Sequence, residues 1–170
     1  MENIGGALRG MYRDTLFDSV GRLIFDSGWI HNTIVKNGRI LLASLMKGED
    51  VGGIYCMKVG KGLAEWDNKP EEASDTDTDL TMPYTSPINI IPEQDIFYLD
   101  EITNYKTSIP TSRLEIRVVM KPNFPESNLT SELREFGLFS KDLNMINCVR
   151  HPLIQKAASE TLIRVVQLFF

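Results

Sequence analysis

Cysteine and histidine are scarce: Cys56, Cys148, His31 and His151 are all that the 170 residues contain. A zinc site needs three or four Cys, His or carboxylate ligands drawn together, and no such spacing surrounds these four. Both cysteines sit in apolar runs, Ile54-Tyr55-Cys56-Met57 and Ile146-Asn147-Cys148-Val149, where a free thiol packs as a small hydrophobe. The two could pair, but two cysteines without a signal peptide favour reduced core residues. Long apolar runs are missing too. No window approaches the ~20 apolar residues of a membrane helix, and Met1 to Gly10 lack the apolar stretch of a secretory signal. The expectation is cytoplasmic synthesis with no direct membrane insertion. Clustered Lys and Arg are likewise absent. Arg39, Arg113, Arg117, Arg134, Arg150 and Arg164 stand singly, and the formal net charge is -5. A nucleic-acid or anionic-membrane surface needs basic residues gathered together, so neither is expected.

What is present suffices for a core. Hydrophobic residues make up 42% and charged residues 24%, both ordinary for a soluble domain. A chain of this length buries roughly 70% of the surface that its unfolded form exposes. One domain is expected over 14–170, after a flexible arm at 1–13 that carries Gly5, Gly6 and Gly10 without an apolar period.

The patterning is mainly β. Leu16–Ser19 and Arg22–Trp29 flank the turn dipeptide Val20-Gly21 as a hairpin, with Leu23, Phe25 and Trp29 on one face. Two stripes, Ile34/Leu41/Leu45 and Val35/Leu42/Met46, predict one helix over about 33–47. Asn32 or Thr33 is its candidate N-cap and Gly48 its C′ residue. Gly38 inside it costs about 1 kcal/mol relative to Ala, which implies a close approach or a break. Further strands are expected at Gly53–Val59, Ile96–Glu101, Arg113–Met120, Glu132–Ser140, Leu143–Arg150 and Thr161–Phe170. Leu114, Ile116, Val118, Phe136, Leu138, Leu162, Val166 and Leu168 should share one core. The fold class is therefore α+β, mainly β: an antiparallel sheet or sandwich with one principal helix.

A long acidic loop is expected at about 61–87, where Glu65, Asp67, Glu71, Glu72, Asp75, Asp77 and Asp79 face only Lys61 and Lys69. Such loops usually contact something. Asp75-Thr76-Asp77-Thr78-Asp79 begins like a calcium loop. The turn glycine and the bidentate glutamate are replaced by Leu80 and Ser86, so no metal is expected. Val59-Gly60-Lys61-Gly62 reads as a tight turn leaving a strand, since no helix follows to cradle phosphate. Cys148 and His151 share one strand region, without the electropositive open setting that a catalytic thiolate needs. His151-Pro152 reads as a strand end. Trp66 is either an anchor folded onto the domain or an interface hot spot. No catalytic residue and no cofactor are expected. The candidate partner contacts are Met11 and Tyr12 in the arm, and Trp66, Asp67, Asp75, Asp77, Asp79 and Tyr84 in the acidic loop.

From about Gly21 onward the chain resembles small structural proteins of phage tails and contractile injection systems. The resemblance is carried by Gly21-Arg22, His31-Asn32, Asn37-Gly38-Arg39, Leu41-Leu42-Ala43, Val59-Gly60, Trp66-Asp67 and Pro70. Its most specific parts are Leu133-Arg134-Glu135-Phe136-Gly137-Leu138-Phe139 and the tail from Ile146-Asn147 through His151-Pro152, Lys156 and Thr161-Leu162. It implies a non-enzymatic subunit incorporated into a virion-like or injection particle. The subunit would be an adaptor at the baseplate or fibre periphery or at the cap end, in a symmetric ring with sheath, tube, baseplate or fibre proteins as partners. No heptad or repeat supplies a fibre shaft. The competing reading is a β-sandwich module that binds a carbohydrate or cell surface through loop aromatics such as Trp66, Tyr84, Tyr98 and Tyr105.

Overall fold

The computed structural model describes residues 8–85 and 89–170. It is mostly antiparallel sheet, 46% strand, with a single α-helix. The α+β, mainly β class expected from the sequence is what the chain adopts. The strands are β1 (Arg9–Phe17), β2 (Leu23–Asp26), β3 (Ile30–Ile34), β4 (Ile54–Gly60), β5 (Asn89–Ile90), β6 (Ile96–Leu99), β7 (Lys106–Thr107), β8 (Arg113–Met120), β9 (Ser131–Ser140), β10 (Met145–Lys156) and β11 (Thr161–Phe169), and the helix is α1 (Lys36–Lys47). Their order is β5-β4-β9-β10-β3-β1-β11-β8-β6-β7, with β2 beside β1.

Strand β3 joins two halves of this sheet. Its first residues pair with β1 (Gly10↔Asn32, Tyr12↔Ile30), and its last pair with β10 (Asn147↔Ile34, Cys148↔Thr33). The sheet folds over at β3, and the two halves close on a common core. Alternation along β1 points Gly10, Tyr12, Asp14 and Leu16 inward, and β11 answers with Leu162, Arg164, Val166 and Leu168. Seven of the eight expected core residues are fully buried in that cluster, and Leu114 packs against it partly buried.

Strand β9 is buried on both faces. Phe136 and Leu138 belong to the central core, whereas Phe139 joins a second cluster with Val35, Cys56, Leu80, Met145 and Cys148 beneath the 61–85 segment. Gly137 stands where a Cβ would lie 2.7 Å from the Asn147 carbonyl oxygen, so no larger residue fits.

Helix α1 lies on β10, as Gly38 foretold: a Cβ there would meet the Ile146 carbonyl oxygen at 2.5 Å. It starts three residues later than expected. Asn32 and Thr33 are claimed by the β3 ladder, and Val35 takes the N-cap place with no side-chain bond. Gly48 closes it in the left-handed region at φ 87°, as expected. No helix among the described residues is long and apolar enough to cross a membrane.

Two boundaries need correction. The arm does not extend to residue 13, because Arg9 to Phe17 form a strand paired along its whole length with β11; residues 1–7 lie outside the described residues. Nor does His151-Pro152 end a strand. Strand β10 continues to Lys156, and a register irregularity between Arg150 and Ile154 accommodates Pro152, which is exposed.

Candidate interaction surfaces

Five carboxylates of the acidic segment, those of Asp67, Glu71, Asp75, Asp77 and Asp79, pair with cations of the domain. Asp67 accepts from Arg134 Nε at 2.7 Å and from Nη2 at 3.1 Å, and it also takes the Leu153 N–H at 3.0 Å. The Arg134 hydrogen bond holds the Asp67 carboxyl below the usual range. Asp77 pairs with Arg150 at 3.0 Å, Asp79 with Lys58 at 3.1 Å, and Asp75 with Arg39 at 3.1 Å. Trp66 is 2% exposed, on a single-turn 3-10 helix. The Arg150 guanidinium lies 5.2 Å from its ring centre, and Gly62, at a positive φ of 56°, packs so closely that a Cβ there would meet the ring.

Glu135, fully buried on β9, completes the fastening. Its two carboxylate oxygens accept the backbone N–H groups of Met82 at 2.6 Å and Thr81 at 2.9 Å. The Arg134-Glu135 pair of the specific motif thus clamps the two ends of the acidic segment. Tyr84 is also turned inward, donating to the Glu132 carbonyl at 3.1 Å. Burial, then the nearby Glu126 carboxylate, pushes the Tyr84 hydroxyl up to about 12.

The structure therefore assigns most of the candidate contacts to internal duties. Tyr12 is 2% exposed in the core, edge-on to Phe136 with ring centroids 5.1 Å apart. Met11 is half-buried in the β1 ladder between His31 and Gln167. Trp66 is the folded-back anchor of the two alternatives. Asp67, Asp77 and Asp79 each have a cation of the chain's own, as does the more exposed Asp75. Tyr84 is engaged by β9. Among the described residues no group of three or more His, Cys, Asp or Glu is placed to hold a metal ion.

Cys148 and His151 do not form a catalytic pair. Cys148 belongs to the cluster beneath the acidic segment, where burial pushes its thiol up to about 12 and keeps it protonated. His151 faces the central core. Its Nδ1 lies 2.7 Å from the Pro152 carbonyl, and its Nε2 lies 3.2 Å from Arg164 Nη2. The neutral tautomer with the proton on Nδ1 satisfies both contacts. Burial and then the Arg164 charge lower its pKa to about 4.

Large apolar side chains instead reach solvent at the two ends of the β1–β11 pair. One end is the β1–β2 hairpin, where Phe17 pairs with Thr161 and Leu23. There Val20, Leu23, Ile24 and Phe25 are all at least 40% exposed. Among the described residues strand β2 pairs with β1 alone, and Leu23-Ile24-Phe25 is apolar on both faces.

At the other end, where Arg9 pairs with Phe169, a groove of about 550 Å³ opens between α1, β6 and the end of β11. Leu41, Leu42 and Leu45 form one wall, and Ile96, Leu168 and Phe170 form the other. Beside it Ile102 and Tyr105 of the β6–β7 loop and Ile109 of the β7–β8 loop are each at least 70% exposed.

The sequence reading missed both surfaces. The signal at the first was the unalternating Leu23-Ile24-Phe25, which a strand with one wet face does not carry. The groove had no local signal, because its walls come from segments far apart in the chain. No known protein family matches the chain, and neither curated proteins nor solved structures yield a match.

Proposed function

We propose that the chain is a non-enzymatic structural subunit of a contractile, phage-tail-like injection particle. It acts as an assembly adaptor at the baseplate or fibre periphery or at the cap end. The observation that carries this reading is the exposure of large apolar residues at two separate ends of a well-packed domain. Monomeric proteins rarely leave extended apolar patches open, and such patches mark protein interfaces. The resemblance of the Leu133–Phe139 and Ile146–His151 segments to particle subunits supplies the kind of assembly. The buried, protonated Cys148 and the neutral His151 fit a passive role.

The test removes the chain from a cell that produces the particle. Negative-stain microscopy should then show particles defective at one end, and mass spectrometry should find the chain in intact particles from the parent cell. Intact particles without the chain, combined with its absence from purified parent particles, would sink the reading.

A further inference from the structure

We infer that the chain associates head to tail with copies of itself, the β2 edge of one copy entering the groove beside α1 of the next. This names a partner for the surfaces on which the assembly reading stands, and it rests on that reading. The argument begins with placement. The hairpin surface and the groove lie at opposite ends of the β1–β11 pair, separated by the length of β1, roughly 30 Å at ~3.3 Å per residue. They cannot meet within one chain. A pairing of hairpin with hairpin, or of groove with groove, would cover one surface and leave the other open, whereas a hairpin-in-groove contact engages both. Repetition of that contact closes a ring or extends a filament.

The shapes and charges agree. Strand β2 and its turn stand out from β1, with no strand on their outer edge among the described residues. The groove is concave, and its volume of about 550 Å³ falls within the ~300–1,000 Å³ of sites that enclose a ligand. Among the described residues that line it, Glu93 is the one that carries a charge. Arg22, next to Leu23, has a side chain 80% exposed that pairs with Asp18 through Nε, leaving both Nη groups to solvent. With Leu23 and Phe25 seated on Leu42 and Leu45, Arg22 would meet Glu93 at the rim and fix the orientation of the contact.

The experiment is a complementation test on the purified full chain. Phe25→Asp blocks the projecting surface and Leu45→Asp blocks the groove, both at exposed positions. Analytical ultracentrifugation of the parent should show association that proceeds beyond a dimer with concentration. Each variant alone should lose it, weakening association by at least about 30-fold, as for a buried hot spot. Mixing the two variants should restore a one-to-one complex, because one copy keeps its groove and the other its β2 edge. Leu23→Glu and Tyr98→Glu repeat the cross at other exposed positions and guard against a misfolded variant.

A mixture that stays monomeric, or a parent that stops at a dimer disrupted by only one class of variant, overturns head-to-tail association. A full chain that stays monomeric while the chain lacking residues 1–7 associates assigns the groove to its own N-terminal residues and also overturns it. In either case, particles that still incorporate the chain leave the assembly reading standing.

Discussion

Asp14 and Arg164 sit directly opposite each other across β1 and β11, both fully buried, with Arg164 Nε and Nη2 donating to the two Asp14 oxygens at 2.6 and 2.7 Å. The guanidinium carbon lies 3.8 Å from the centre of the Phe136 ring, and Nη1 has no hydrogen-bond partner among the described residues. A pair taken wholly out of water must recover a large desolvation cost, so its net stabilisation is small while its loss is costly. Asp14→Ala should destabilise the domain by about 3–5 kcal/mol, because Arg164 is left charged and buried. Replacing both, Asp14→Leu with Arg164→Met, should restore most of that. Urea melts of the three proteins check it, and a loss below about 1 kcal/mol for Asp14→Ala would mean that water reaches Arg164.

His151 makes the fold acid-sensitive through the same cluster. Its pKa falls from 6.5 to about 4 in the folded chain, so between those values the unfolded chain binds the extra proton. Stability contributed by neutral His151 is complete above pH 6.5 and is lost as pH falls toward 4, on the order of 3 kcal/mol in all. His151→Gln should flatten this part of the profile. The readout is the difference between parent and variant in urea midpoint at neutral pH and near pH 4.5, since carboxylates common to both cancel. Equal slopes would place the imidazole in water.

The alternating runs of β8 and β11 were legible because hydrophobic and polar residues trade places along them, and the helix because its stripes repeat at helical spacing. Strand β1 was not, for a physical reason: two of its four inward positions are Gly10 and Asp14. A glycine and a buried charge erase the apolar alternation that marks a strand. The aspartate is tolerated there only because Arg164 faces it from the far end of the chain. The acidic segment misled in the same way. Its carboxylates read as solvated or partner-facing until Arg39, Lys58, Arg134 and Arg150, scattered through the sequence, converge on them. Periodicity reports a residue's own element, and these pairings join elements that only the fold brings together.

Trp66 provides a direct check of that reassignment. With Trp66 2% exposed against Gly62 and Arg150, Trp66→Ala should cost the isolated domain about 3–5 kcal/mol. The segment from Lys61 to Met82 should become sensitive to proteolysis. An interface residue would behave oppositely, leaving the monomer's melt unchanged.

Glu135 should hold the far end of the same segment. Its carboxylate is the acceptor for two backbone N–H groups, of Thr81 and Met82, and no other acceptor among the described residues is bonded to either. Glu135→Ala strands both donors in a partly buried place, at about 1–3 kcal/mol for each unsatisfied group. Hydrogen exchange should then accelerate at Thr81 and Met82 more than in the β1–β11 ladder. Uniform acceleration would show global destabilisation in place of local release.

Gly38 sets two known effects against each other, and their difference has a definite sign. An exposed helix position gains about 1 kcal/mol when Gly becomes Ala, since the unfolded chain loses freedom and the helix loses none. At Gly38 the new methyl would lie 2.5 Å from the Ile146 carbonyl oxygen and 3.1 Å from its Cα. Both are backbone atoms of a strand held on its two sides by β9 and β3, so they cannot swing aside as a side-chain end could. The helix must lift from β10, and overpacking of this kind costs about 1–3 kcal/mol. Gly38→Ala should therefore destabilise despite the better propensity, and Gly38→Val should do so more severely. Lifting α1 also moves Leu41, Leu42 and Leu45, so the same variants should weaken self-association beyond the change in folding. Urea melts and sedimentation of Gly38→Ala measure the two effects separately. A variant more stable than the parent by about 1 kcal/mol would show that α1 does not rest on Ile146.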